Sequence, residues 1–307
     1  MYNLVVRRYC FMFDQIFGNY LVSANKLTKE QLEEVISLEK TVRVKMGLLA
    51  VAEKMMTKEQ ADEINQLQAI RDKRFGDLAV EKGYLTDEQI GVLLKKQGNI
   101  YMLFVQTVID KGYMTLDEIE NALGQYQTEN ALTRSDMDDM ISGDVDRTVR
   151  IFLPAGSSEY YDRVCGLAIR TVIRLISSGA YVKKAYFTDE LKSDRFAVQK
   201  VEGDMTLYTG FAGEGNNLLT IADSYAKEEF GTVDLDALDS VGEFVNCING
   251  LFASELSCEN VNIDMLPPEF FDHEVTLKGE QFCVFPIVID DKSVDFVLSI
   301  DSDFSID

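Results

Sequence analysis

Residues 235–256 read LDALDSVGEFVNCINGLFASEL, and this stretch decides the class of the domain that holds it. An α-helix turns about 100° per residue, which gathers Leu238, Val241, Val245, Ile248 and Phe252 on one side. Asp239, Glu243, Asn246 and Gly250 fall within roughly 60° of one another on the other side. The apolar side must be buried, so the polar stripe faces outward. A carboxylate and a carboxamide one turn apart on a flat, open face suit docking onto another protein. On many helices such a stripe is no more than a solvated face, and the spacing alone does not separate the two.

The flanking text alternates between strand and helix patterns. RTVRIFL (147–153) reads as a strand, and 157–178 as a helix with Val164, Leu167, Ala168, Val172 and Leu175 at helical spacing. AYVKKAYF (180–187), RFAVQKV (195–201) and MTLYTGF (205–211) read as strands. A helix is expected near 217–229, and CVFPIVI (283–289) and VDFVLSI (294–300) close the chain as alternating strands. Long helices beside an antiparallel sheet make residues 147–307 an α+β domain.

The spacing D-x-x-x-E-x-x-N at Asp239, Glu243 and Asn246, with LPPEF at 266–270, resembles the signature helix of the CheC/CheX/FliY phosphatases. The resemblance spans about residues 155–305. It implies an aspartyl phosphate on a CheY-like receiver domain as substrate, in chemotaxis or two-component signalling. Asn246 then orients the attacking water, Glu243 pairs with the receiver's lysine, and Asp239 and Gly250 belong to the docking face. The Mg²⁺ comes with the receiver, so the chain needs no cofactor or metal of its own, in keeping with a sequence whose one histidine is His273. The helix expected at 157–178 has no E-x-x-N, which makes the arrangement CheX-like with a single site, and such domains tend to form homodimers. The alternative is a non-enzymatic adaptor that binds a receiver through the same surface.

The first half of the chain is a repeat. Thr28, Thr57, Thr86 and Thr115 each follow the last by 29 residues and open LTKEQLEEV, MTKEQADEI, LTDEQIGVL and MTLDEIENA. Each segment is a capping box at the start of an amphipathic helix. Ten residues upstream stand Gly18, Gly47, Gly76 and Val105, preceded by Phe17, Met46, Phe75 and Phe104. Each repeat is therefore a short helix, a turn and a capped helix, with Gly83 and Gly112 placed where a left-handed helix end is wanted. Four hairpins make an all-α domain at 10–130, followed by an acidic linker at 131–146.

This repeat resembles the N-terminal module of type II secretion and pilus ATPases, some of which bind cyclic di-GMP through two motifs in tandem. The third repeat carries the matching positions, among them Arg74, Gly76, Gly83 and Gln97. In the second, Lys45 replaces the arginine and Lys54 the second glycine, and the first, ending at Glu39, keeps less. Lysine does not reproduce a stacking, bidentate guanidinium. A sensing or docking module without the dinucleotide is the favoured reading, and cyclic di-GMP binding the alternative.

Composition agrees with a folded protein. The chain has 307 residues, 46% of them hydrophobic, enough for two cores. Its formal charge of -22 repels a phosphate backbone and argues against nucleic acid. Five scattered cysteines, including Cys10, read as reduced thiols of a cytoplasmic protein. Neither a signal peptide nor an apolar run long enough to enter a membrane is evident.

Overall fold

A computed structural model describes residues 11–38, 43–71, 73–97 and 99–307. The expectations that fall on Cys10, on the first ten residues and on Glu39 lie outside the described residues. The chain divides into two compact units, one spanning Phe13–Ser142 and the other containing Gly143–Asp307.

In the first unit eight helices form four hairpins. They are α1 (Phe11–Ser23) with α2 (Lys29–Leu38), α3 (Met46–Ala52) with α4 (Lys58–Ile70), α5 (Phe75–Glu81) with α6 (Asp87–Lys96), and α7 (Ile100–Asp110) with α8 (Leu116–Glu129). All four threonines cap as their spacing predicts. The hydroxyls of Thr57, Thr86 and Thr115 accept from the amides of Gln60, Gln89 and Glu118, whose side chains accept the threonine amides in return. Thr28 and Gln31 make the same exchange.

Each turn passes through one left-handed residue, at Asn25, Lys54, Gly83 and Gly112, so the repeat sets this conformation even where no glycine relieves it. Around Gly83 the amides of Gly83 and Tyr84 reach back to the carbonyls of Val80 and Ala79, at 2.9 Å each, which closes the helix end. The upstream glycines serve packing. A Cβ on Gly76 would stand 3.3 Å from Ile90 of the partner helix, and one on Gly47 would stand 3.1 Å from Phe75.

A repeated clasp joins the hairpins. Glu63 accepts from Lys82 (2.8 Å) and Tyr84 (2.6 Å), tying the second repeat to the third. One period earlier and one later, Glu34 accepts from Lys111 and Tyr113, tying the first repeat to the fourth. The hydrogen bonds from lysine and then tyrosine hold both carboxyls below their ordinary value, and the bond to glutamate pushes each phenol up.

Two local expectations are overturned. The acidic stretch 131–146 holds a helix, α9 (Arg134–Ser142), capped by Thr133 through Asp136 and burying Met137 and Met140. RTVRIFL is not a strand but most of α10 (Val145–Phe152). Asp144 caps it by accepting from the Arg147 amide, and Val145, Thr148 and Val149 are buried at helical spacing.

The rest of the second unit is α+β. Among the described residues one antiparallel sheet runs in the order β1 (Tyr181–Val182), β7 (Val275–Ile289), β8 (Lys292–Ile300), β4 (Leu207–Gly213), β3 (Arg195–Gly203), β5 (Ile263–Met265). β2 (Tyr186–Ser193) and β9 (Phe304–Ile306) pair with β7, and β6 (Glu269–Phe271) pairs with β3. The short strands β5, β6 and β9 and the first half of β7 go beyond what the sequence patterns announced.

Among the described residues three further helices lie in this unit: α11 (Glu159–Leu175), α12 (Leu219–Ala226) and α13 (Leu235–Ser257). α13 packs on β3, β4, β5 and β6, with α11 and α12 beside it. Side chains alternate along a strand, so Phe196 and Val198 enter an apolar cluster with Leu277, Phe282 and Val297. Ala197, Gln199 and Val201 point the other way, toward α13. Both faces of β3 are thus buried, and a polar residue on it has to find its partners inside the protein.

Candidate functional site

α13 starts at Asp234, whose carboxylate accepts from the Ala237 amide at 3.0 Å. Leu238, Val241, Val245, Ile248 and Phe252 are fully buried, as their period requires. Asp239 and Glu243 are exposed, and Asn246 and Gly250 are half-buried. The four stripe residues therefore lie along the outward side, with the carboxylates open to solvent and the amide set lower. Gly250 has room around it, since a Cβ there would find only the Met265 Cε, at 3.9 Å. Packing does not demand a glycine at this point, and its bareness keeps the stripe flat. Two turns earlier, Gly242 lies hard against β6 and the segment before it, where a Cβ would overlap the Phe270 ring and stand 3.2 Å from Pro268.

Beneath Asn246 runs a chain of hydrogen bonds that the sequence reading missed. Thr209 Oγ1 donates to Asn249 Oδ1 at 2.9 Å, and Asn249 Nδ2 donates to Gln199 Oε1 at 2.8 Å. Gln199 Nε2 donates twice, to the Leu266 carbonyl at 2.8 Å and to Asn246 Oδ1 at 2.9 Å. Gln199 and Thr209 are cross-strand partners in β3 and β4, which aims both at the underside of α13. Gln199 is 2% exposed, and Asn249 and Thr209 are fully buried. A buried polar group without a partner costs about 1–3 kcal/mol, so a closed chain of this kind is strongly specified. The signal was present in RFAVQKV, where Gln199 is the one polar residue at an inward position, and in Asn249 on the apolar side of the helix.

The first-unit candidates are accounted for largely by structure. Gly76 makes the close approach to Ile90, and Gly83 supplies a left-handed helix end. Gln97 follows α6 and donates to the Val44 carbonyl at 2.7 Å while accepting from Arg43, which ties the second and third repeats together. Arg74 lies exposed at the start of α5 with no capping bond from its side chain. Lys45, at the equivalent place one repeat earlier, is paired with Asp110 at 2.6 Å.

Two carboxylates and an amide thus share one outward helix face over an antiparallel sheet. A model of the family described as "Chemotaxis phosphatase CheX" matches residues 195–287, which run from β3 into β7 and contain all of α13. No curated protein matches the chain.

Among solved structures, the chain is similar to a CheC-like superfamily protein from Shewanella sp. PV-4, with 16% identity over 47% of this chain and 98% of that one and a TM-score of 0.41. It is also similar to the chemotaxis protein CheX from Desulfovibrio desulfuricans, with 13% identity, 47% and 99% coverage and a TM-score of 0.41. A third is CheX in the CheX–CheY–BeF3–Mg complex from Borrelia burgdorferi, with 18% identity, 46% and 97% coverage and a TM-score of 0.35. Among the described residues no helix is long and apolar enough to cross a membrane.

Proposed function

We propose that the second unit is a phosphatase for the aspartyl phosphate of a CheY-like receiver domain in chemotaxis or two-component signalling. The observation that carries this is the coincidence of the CheX family match with an exposed Glu243 and a held Asn246 one turn apart on the outward side of α13. An acyl phosphate is already activated, so hydrolysis needs a water in line with the P–O bond and little else from the protein. The water oxygen bonds to phosphorus, the aspartate carboxylate leaves with the electrons of the broken P–O bond, and the water's protons end on phosphate and solvent.

Asn246 supplies the positioning. An amide oxygen has two lone pairs and the amide nitrogen two protons, so one bond to Gln199 leaves groups of both kinds for a water. Glu243, exposed, takes the receiver's lysine and so draws that cation off the phosphoryl group. Asp239 and the bare Gly250 extend the contact face, and the Mg²⁺ belongs to the receiver. The helical unit serves as a docking or sensing module that brings the second unit to its receiver and raises the effective concentration.

The test is phosphate release from a phosphorylated receiver mixed with the full chain, compared with Asn246→Ala and Glu243→Ala. Loss of an orienting group costs a few kcal/mol of barrier, so the acceleration should fall by about 100-fold or more in Asn246→Ala. Glu243→Ala should chiefly raise the receiver concentration needed for half-saturation. Traces unchanged in the double variant, with wild type active, would remove both residues from the mechanism. Receiver binding without acceleration by the wild type would favour the adaptor reading.

A further inference from the structure

We infer that Gln199 is a positioning residue that sets which way the Asn246 amide faces, through a relay whose polarity is fixed at its Leu266 end. The Leu266 carbonyl can only accept, so the Gln199 group 2.8 Å from it must be the amino nitrogen, Nε2. Gln199 Oε1 then faces Asn249, which must answer with Nδ2, and Asn249 Oδ1 takes the Thr209 hydroxyl. The second Nε2 proton is directed at Asn246, 2.9 Å away, and only an oxygen can receive it.

Asn246 therefore holds Oδ1 inward and turns Nδ2 away from Gln199. Reversing it would set two N–H groups against each other, beside a glutamine that is 2% exposed and cannot turn without losing Leu266 and Asn249. Leu266 is itself anchored, since its amide donates to the Lys200 carbonyl at 3.0 Å. The amide plane is thus chosen by the sheet before any partner arrives. This is the kind of support that sets the geometry of a reacting group in advance. It rests on the phosphatase reading for its kinetic consequence and on the hydrogen bonds alone for the orientation.

The experiment compares Gln199→Met, Asn249→Leu and Thr209→Val with the wild-type full chain. Two quantities are measured: receiver dephosphorylation over a receiver titration, and the side-chain amide resonances of Asn246 in the free protein. All three positions are nearly or fully buried, so a merely structural role would lower thermal stability at each with no ordering in rate. The relay orders them by distance from Asn246. Gln199→Met should lower kcat about tenfold or more, with half-saturation within about twofold, and shift the Asn246 amide pair. Asn249→Leu should act less, and Thr209→Val should stay within about twofold in kcat.

An unmoved Asn246 resonance in folded Gln199→Met overturns the inference, as does an unchanged kcat in that variant. Should Gln199→Met fail to fold, Gln199→Glu takes its place, because its carboxylate keeps the shape and offers Asn246 no proton when ionised. The resonance needs no receiver. A wild type that accelerates no receiver would sink the phosphatase reading, and the relay would then be decided by the Asn246 shift.

Discussion

Replacing Asn249 with leucine should cost the second unit about 2–6 kcal/mol. The side chain is fully buried and is bonded on both sides, to Gln199 Oε1 at 2.8 Å and to the Thr209 hydroxyl at 2.9 Å. Leucine removes both bonds at once and leaves an acceptor and a donor stranded, at about 1–3 kcal/mol each. For a unit of this size 1 kcal/mol moves the melting temperature by about 2–4 °C, so the transition should fall by about 5–20 °C.

The triple variant Thr209→Val, Gln199→Met, Asn249→Leu should recover most of that loss. Matched apolar groups replace the chain without stranding either end in the core, and what loses a partner is the Leu266 carbonyl and the Asn246 oxygen, near the surface. Calorimetry of the full chain at neutral pH reads both variants. A single-variant shift under about 2 °C would mean that water reaches these groups, and a triple variant that adds the separate losses would refute the pairing logic. The recovered triple variant should still be a poor phosphatase, because its Asn246 is no longer held.

The left-handed turn residues make a paired test: Gly83→Ala should cost the helical unit about 1–2 kcal/mol, while Lys54→Gly at the equivalent position should be neutral or stabilising. No heavy atom lies within 4 Å of a Cβ at Gly83, so equal shifts of the same sign in urea midpoints would contradict a purely conformational cause. The clasp carboxyls set a pH dependence in the same unit. Glu34 and Glu63 have lowered folded values, so what they add to stability is fully present above the ordinary carboxylate value near 4.3 and is lost as pH falls through the lowered one. The variant Glu34→Gln with Glu63→Gln should therefore lose less stability between pH 6 and 3 than the wild type, and parallel curves would remove the clasps from the account. Any binding of cyclic di-GMP in a calorimetric titration of the full chain should be weak and depend on Arg74, and tight binding that survives Arg74→Ala would overturn that assignment.

Regularity was what made parts of this protein readable in advance. Four threonines in phase announce four capped helices because the capping box is local, needing only residues three apart. The apolar side of α13 was equally plain, since a 22-residue window averages out any one exception. RTVRIFL misled because its β-branched residues suit a strand, whereas Asp144, just upstream, supplies the cap that starts a helix. Thr133 and Asp136 carried the same kind of signal within a stretch whose acidity suggested solvent. The relay lay beyond a reading of separate segments. Gln199, Thr209, Asn249 and Leu266 belong to different elements, and only the strand register and the seat of α13 bring them together.

The clasps at Glu34 and Glu63 have a bearing on how the helical unit assembles. In a linear solenoid each repeat meets only its sequence neighbours, so units can be added or trimmed at the ends with proportionate loss. Here the same Glu–Lys–Tyr knot closes the inner pair of repeats and, one period farther out on each side, the outer pair. The arrangement is nested, like brackets within brackets. Cutting off the fourth repeat would open the knot that holds the first, some 80 residues away in the chain, so this half of the protein should melt as one body and tolerate no gradual shortening from its end.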